Sequence, residues 1–196
     1  MLLPLGDGTQ VPVTELPGNG PWTFLVLQAE APGPAEAPVP PDPGSVALGP
    51  GPDARLGGPE PSGVARALTR FGRAVVPDLR GRPGWGEAPD GAGFLDLVDD
   101  LDQVRTRAGL GRPVLVGLGE LVPVAVRAAA DQPWAWRALV LAPPVATAKL
   151  DRLDLPALVL DADPASAAGR AALERLLDRL GGGPGWAGIA PDAPPR

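Results

Sequence analysis

The chain has 196 residues, 44% of them hydrophobic and 20% charged, a balance that predicts one globular domain spanning 1–196 with a sizeable buried core. A net charge of −6 argues against nucleic acid or an anionic membrane as partner. Histidine, cysteine and tyrosine are all absent. That removes the usual general base near neutral pH, the thiolate nucleophile, the disulfide and cysteine-ligated zinc.

Read in order, Met1–Leu5 and Val11–Leu16 are short apolar runs around Gly6-Asp7-Gly8, which predicts an N-terminal β-hairpin with positive φ in the turn. No basic region or long apolar segment marks the start as a leader, and no stretch is long enough to span a membrane, so the expected location is the cytoplasm. Trp22–Gln28 is a continuous apolar run of strand length. The excess of glycine and proline, 27 and 28 residues in the chain, is partly local to residues 31–62, which read as a Pro/Gly-rich loop holding at most a short strand at Ser45–Leu48. Within it, Pro38-Val39-Pro40-Pro41 offers a polyproline face, though a plain tether needs no such role.

Pro61 or Ser62 caps a helix running to about Arg70, with Gly72 as its expected stop. Arg73–Leu79 is a strand leading into the glycine-rich turn Arg80–Gly86. Phe94, Leu97, Val98, Leu101 and Val104 fall on one face of a helix over 94–108. Asp96, Asp99, Asp100 and Asp102 are assigned to its other face, with Arg105 and Arg107 near its end as the helix dipole favours. Pro113–Gly117 is a strand that turns through Gly117 and Gly119 into an apolar helix ending at Asp131. Strands follow at Arg137–Ala142 and Ala157–Leu160, then a helix over 165–180 and a short strand at Trp186–Ala190. Short apolar strands that do not alternate, interleaved with helices, predict an α/β fold: a mostly parallel central sheet with helices on both faces.

Three blocks carry a resemblance to the α/β-hydrolase superfamily: VVPDLRGRPGWG at 75–86, the strand–turn–helix–strand stretch 114–144, and LPALVLDADP at 155–164. The resemblance implies an α/β-hydrolase-like fold without a lid domain. It also implies a nucleophile elbow at Gly117-Leu118-Gly119-Glu120-Leu121, where the family has Gly-x-Ser-x-Gly. Gly119 holds the nucleophile position and cannot attack anything. The base is missing because the chain has no histidine, and Gln28-Ala29-Glu30 stands where a His-Gly pair of the oxyanion hole is expected. The acid position survives as Asp163 or Asp161 with no histidine to orient.

These residues predict a non-catalytic protein that binds a small-molecule ligand or a protein partner, with oligomerisation open and no cofactor or metal required. The candidates for ligand binding are Gln28, Glu30, Asp78, Trp85, Glu120 and Asp163: the carboxylates, with Asp161, follow strands and would gather at the carboxyl edge of a parallel sheet, Gln28 stands at the expected oxyanion-hole place, and Trp85 lies in the glycine-rich turn where it could stack on a ligand. One alternative is a hydrolase using those carboxylates, with or without a divalent metal; another is a structural or oligomerising module. Asp161-Ala162-Asp163 also resembles the Asp-x-Asp opening of the haloacid-dehalogenase phosphatases. Ala165 stands in the threonine place of that motif, which lies too near the chain's end.

Overall fold

The computed structural model describes residues 1–29, 61–85, 92–142, 150, 153–160 and 166–182. The expected strands at Ser45–Leu48 and Trp186–Ala190, and nearly all of loop 31–62, lie outside them.

Among the described residues seven strands form one sheet: β1 (Leu2–Pro4), β2 (Gln10–Leu16), β3 (Trp22–Leu27), β4 (Gly72–Pro77), β5 (Val114–Leu118), β6 (Ala138–Ala142) and β7 (Ala157–Val159). Their order across the sheet is β1-β2-β4-β3-β5-β6-β7. The first two strands make the expected antiparallel hairpin, with Gly8 at φ 83° in its turn, and β2 pairs antiparallel with β4. Every pairing from β4 through β7 is parallel.

Four helices cover the sheet: α1 (Gly63–Leu68), α2 (Ala92–Arg107), α3 (Val122–Asp131) and α4 (Ala167–Leu177). Side chains alternate across a strand, so each central strand feeds two cores. Leu25, Leu27, Val75, Leu115, Leu139 and Leu141 pack with α2 and α3. Their neighbours Phe24, Val26, Ala74, Val76, Val116 and Val140 pack with α1 and α4. Burial on both faces is why these strands carry no polar alternation. The fold is α/β-hydrolase-like, with a mixed but mostly parallel sheet. No separate lid domain is present among the described residues.

Three expectations are corrected. The helix capped by Ser62, whose Oγ accepts the Ala65 N–H at 3.2 Å, ends at Leu68 with Thr69 as a right-handed C-cap, so Gly72 does not stop it. Gly72 opens β4 instead, and is glycine because a Cβ there would lie 1.8 Å from the Trp22 carbonyl oxygen. The last helix starts at Ala167, since Ser166 takes the N-cap and its Oγ accepts the Gly169 N–H at 3.1 Å.

The third correction concerns Asp100, which is buried rather than on the solvent face of α2. Arg82 reaches it with Nε to Oδ2 at 2.6 Å and a terminal nitrogen to Oδ1 at 3.0 Å. The same guanidinium bonds Asp7 Oδ2 at 2.9 Å and Thr9 Oγ1 at 2.5 Å in the hairpin turn. One arginine thus ties together the β1–β2 turn, the segment after β4 and the middle of α2. Its bond to Asp100 is the largest influence raising the Arg82 pKa above its ordinary value.

Asp7 is pulled down to about 2 from its ordinary 3.8, first by the Thr9 hydroxyl and backbone N–H, then by Arg82. A pKa lowered in the folded state contributes stability that is complete above the unfolded value and lost as pH falls through about 2. The Asp7 carboxyl carbon should therefore titrate by NMR near pH 2, with the Thr9 amide losing exchange protection over the same range. A midpoint at the ordinary carboxylate value would show that the turn is not bonded this way in solution.

Candidate functional site

The strand order fixes where a site can form. From β3 the chain crosses to β4 on one side, while from β5 it crosses through α3 to β6 on the other. Connections therefore diverge between β3 and β5, and the crevice outside their carboxyl ends is where open α/β sheets take ligands. Leu27 pairs with Gly117, so Gln28 and Ala29 leave β3 beside the turn that leaves β5.

That turn has elbow geometry. Strand β5 runs into a single 3-10 turn, Gly119–Leu121, and then directly into α3. Its two glycines serve different ends. A Cβ on Gly117 would meet the Ala125 Cβ at 2.7 Å and Leu141 Cδ2 at 3.2 Å, so this glycine lets strand and helix approach closely. Gly119 has φ 57°, and a Cβ there would meet nothing within 4 Å among the described residues. The apex residue is in the left-handed conformation that glycine tolerates best, and its missing side chain would project into open space. Leu121 turns into the core and Glu120 is exposed. No side chain caps the turn or the start of α3. At this start the Val122 N–H donates to the Gly119 carbonyl and Pro123 has no N–H, so the groups without an intrahelical acceptor are those of Glu120 and Leu121, directly after the apex.

The other candidates fall into three groups. Gln28, Asp78 and Glu120 do share the carboxyl edge, since β4, β3 and β5 are neighbours. Two of them already have structural work. Gln28 is buried, and its Oε1 accepts the Ser62 N–H at 2.9 Å, tying the exit of β3 to the N-cap of α1. Asp78 is gripped by Arg80, with Nε to Oδ1 at 2.7 Å, a terminal nitrogen to Oδ2 at 2.5 Å and the backbone N–H to Oδ1 at 3.2 Å. Desolvation is the largest single influence on Asp78 and pushes its pKa up. Against it, the Arg80 bonds and charge together hold that carboxyl below its ordinary value. Asp78 is thus kept as a paired carboxylate, poorly suited to accept a proton.

Trp85 is partly buried against the α2/α3 core, with its backbone N–H donating to the Arg82 carbonyl at 3.1 Å. Glu30, Asp161 and Asp163 lie outside the described residues. Among the described residues no three His, Cys, Asp or Glu side chains gather as a metal site would require. No helix there is long and apolar enough to cross a membrane.

The Arg82–Asp100 pair was missed from sequence, although a signal was present. Asp100 lies three residues after Leu97 and four before Val104, both buried, and so falls on the same helical face.

No protein-family model matches the chain, and no curated protein does. Solved structures do. An epoxide hydrolase from Vigna radiata is 22% identical over 73% of this chain and 39% of its own, with a TM-score of 0.45. DbjA is 20% identical over 72% of this chain and 39% of its own, at 0.43. A serine-to-glycine mutant of the N-acyl homoserine lactonase AidH, complexed with N-hexanoyl homoserine lactone, is 18% identical over 76% and 48%, at 0.43. The match spans less than half the length of each. What defines the chain as having the α/β-hydrolase fold is its own strand order, antiparallel first hairpin and strand–elbow–helix unit.

Proposed function

We propose that this protein binds a small acyl or carboxylate ligand at the elbow and does not turn it over by a triad mechanism. The observation that carries the reading is Gly119. The backbone keeps the left-handed apex of a nucleophile elbow at φ 57°, with none of the described residues within 4 Å of a Cβ there, while the side chain that would attack is gone. The chain also lacks histidine throughout, so no imidazole is present to activate a hydroxyl. In elbows of this kind the residue after the apex contributes its backbone N–H to an oxyanion. Here that residue is Glu120; beyond it the Val122 N–H already donates to the Gly119 carbonyl and Pro123 has none, so a bound carbonyl or carboxylate oxygen would be held by the Glu120 and Leu121 N–H groups. Docking of a protein partner over the same crevice is the variant of this reading in which the occupant is larger.

The test is a thermal-shift series with short acyl esters and carboxylic acids, in which binding to the native state raises the melting temperature. A concentration-dependent rise is expected, and it should disappear when Gly119 is replaced by a bulkier residue that fills the space. No rise with any acyl compound would remove the reading. A rise only with divalent metal would favour the carboxylate hydrolase instead. Gly119→Ser is expected to give no ester hydrolysis above background, since nothing would take the hydroxyl proton. Turnover in that variant would reveal a base and refute the non-catalytic assignment.

A further inference from the structure

We propose that the Glu120 carboxylate sets the charge of what the elbow holds: an acyl compound with a neutral carbonyl, an ester or amide, preferably one that also carries a positive charge, rather than a free carboxylate. The inference rests on the binding role proposed above for that turn and narrows its ligand class.

Gly119–Leu121 offers one side chain to its surroundings. Gly119 has none and Leu121 is 5% exposed and packed in the core, while Glu120 is exposed. The Glu120 carboxylate has no ion pair or hydrogen bond among the described residues. The backbone N–H groups of Glu120 and Leu121 likewise have no acceptor among them. For a residue as buried as Leu121 that is uncommon, because enclosed backbone donors are nearly always paired with protein, water or a ligand. Two successive N–H groups in a turn make a concavity that suits one oxygen atom.

The charge of Glu120 cannot be far from that oxygen, since donor and carboxylate belong to one residue. Covalent geometry keeps an oxygen held by the Glu120 N–H within about 8 Å of the same residue's carboxylate. That is no more than about a Debye length at physiological salt, so the two interact. A second negative charge is repelled there, a neutral carbonyl is not, and a cation elsewhere on the ligand is attracted. The start of α3 counts as roughly half a positive charge. The full charge of Glu120, in the same turn, outweighs it. The guanidiniums that follow β4 are already committed, Arg80 to Asp78 and Arg82 to Asp100 and Asp7. Neither is left over to receive a ligand's carboxylate in place of Glu120's repulsion.

The experiment follows the Glu120 and Leu121 amides of the whole protein by NMR while four small probes of similar size are titrated in. Butyramide is neutral, γ-aminobutyramide is a cation, succinamate is an anion that keeps the amide carbonyl, and butyrate is the free acid. The cation is expected to bind tightest and butyramide next, with both anions weaker than butyramide by about threefold or more. The spread should shrink as salt rises. Glu120→Gln keeps the backbone donors and the side-chain size at an exposed position, and should erase the advantage of γ-aminobutyramide over succinamate. Equal binding of all four probes by the wild type overturns the inference while the elbow stands as an acyl site. Preference for the anions, or a cation advantage that survives Glu120→Gln, overturns it too, by placing the selection elsewhere. If no probe moves either amide, the binding role of the elbow and this inference fall together.

Discussion

Arg82→Met is expected to destabilise the protein by about 3–5 kcal/mol, lowering the melting temperature by on the order of 10 °C. The side chains of Arg82 and Asp100 are 12% and 6% exposed, so removing the guanidinium leaves a carboxylate in the core with no counter-charge. The variant also releases Asp7 and Thr9, but those bonds lie at the surface and their loss is a small part of the effect. The double variant Arg82→Met/Asp100→Leu separates the two. If the penalty comes from the stranded Asp100, removing that carboxylate should recover most of the stability, because a well-packed apolar pair is often no worse than a buried ion pair. Urea unfolding of both variants measures the coupling. Equal destabilisation of the single and double variants would mean that Arg82 matters through the hairpin and not through Asp100.

Gly117→Ala is expected to cost about 1–3 kcal/mol, a large effect for one methyl group. The cause is the 2.7 Å separation between its Cβ and that of Ala125, which forces α3 away from β5. Ala125→Gly in the same chain should recover part of the loss, since it opens the space but puts a glycine inside a helix at about 1 kcal/mol. Gly119→Ala meets no neighbour among the described residues and bears the left-handed backbone cost of about 1–2 kcal/mol. The distinguishing result is therefore the rescue. Ala125→Gly should help Gly117→Ala and worsen Gly119→Ala. If neither glycine responds to Ala125, the close approach of strand and helix does not hold in solution.

Much of this fold was legible in the chain because periodicity and punctuation are local. The apolar runs at 22–28, 73–79 and 137–142 became β3, β4 and β6 with small shifts at their ends. The Asp7-Gly8 turn, the Ser62 cap and the two-glycine elbow were readable for the same reason: each is a backbone requirement met by a residue in place. Less of the site was legible. Gln28 was picked for its place at the end of a strand where the oxyanion-hole pair is expected and Asp78 because it follows a strand, yet both side chains are engaged by neighbours 34 and 2 residues away. Asp100 was misplaced because a carboxylate on a helix is solvated by default, and only its partner on another element makes burial tolerable.

The sequence by itself determined what these 196 residues do not contain. With no histidine or cysteine among them, and glycine at the elbow apex, no folding of this stretch supplies an imidazole base or an attacking side chain of its own at that place. It also determined the alternation of strands and helices, which local pattern encodes. Only the tertiary structure decided the order β1-β2-β4-β3-β5-β6-β7, the divergence of connections between β3 and β5, and the roles of the two elbow glycines. Those depend on which segments meet across long stretches of chain. A glycine kept for a close contact and one kept for a turn are the same letter until the neighbours are in place.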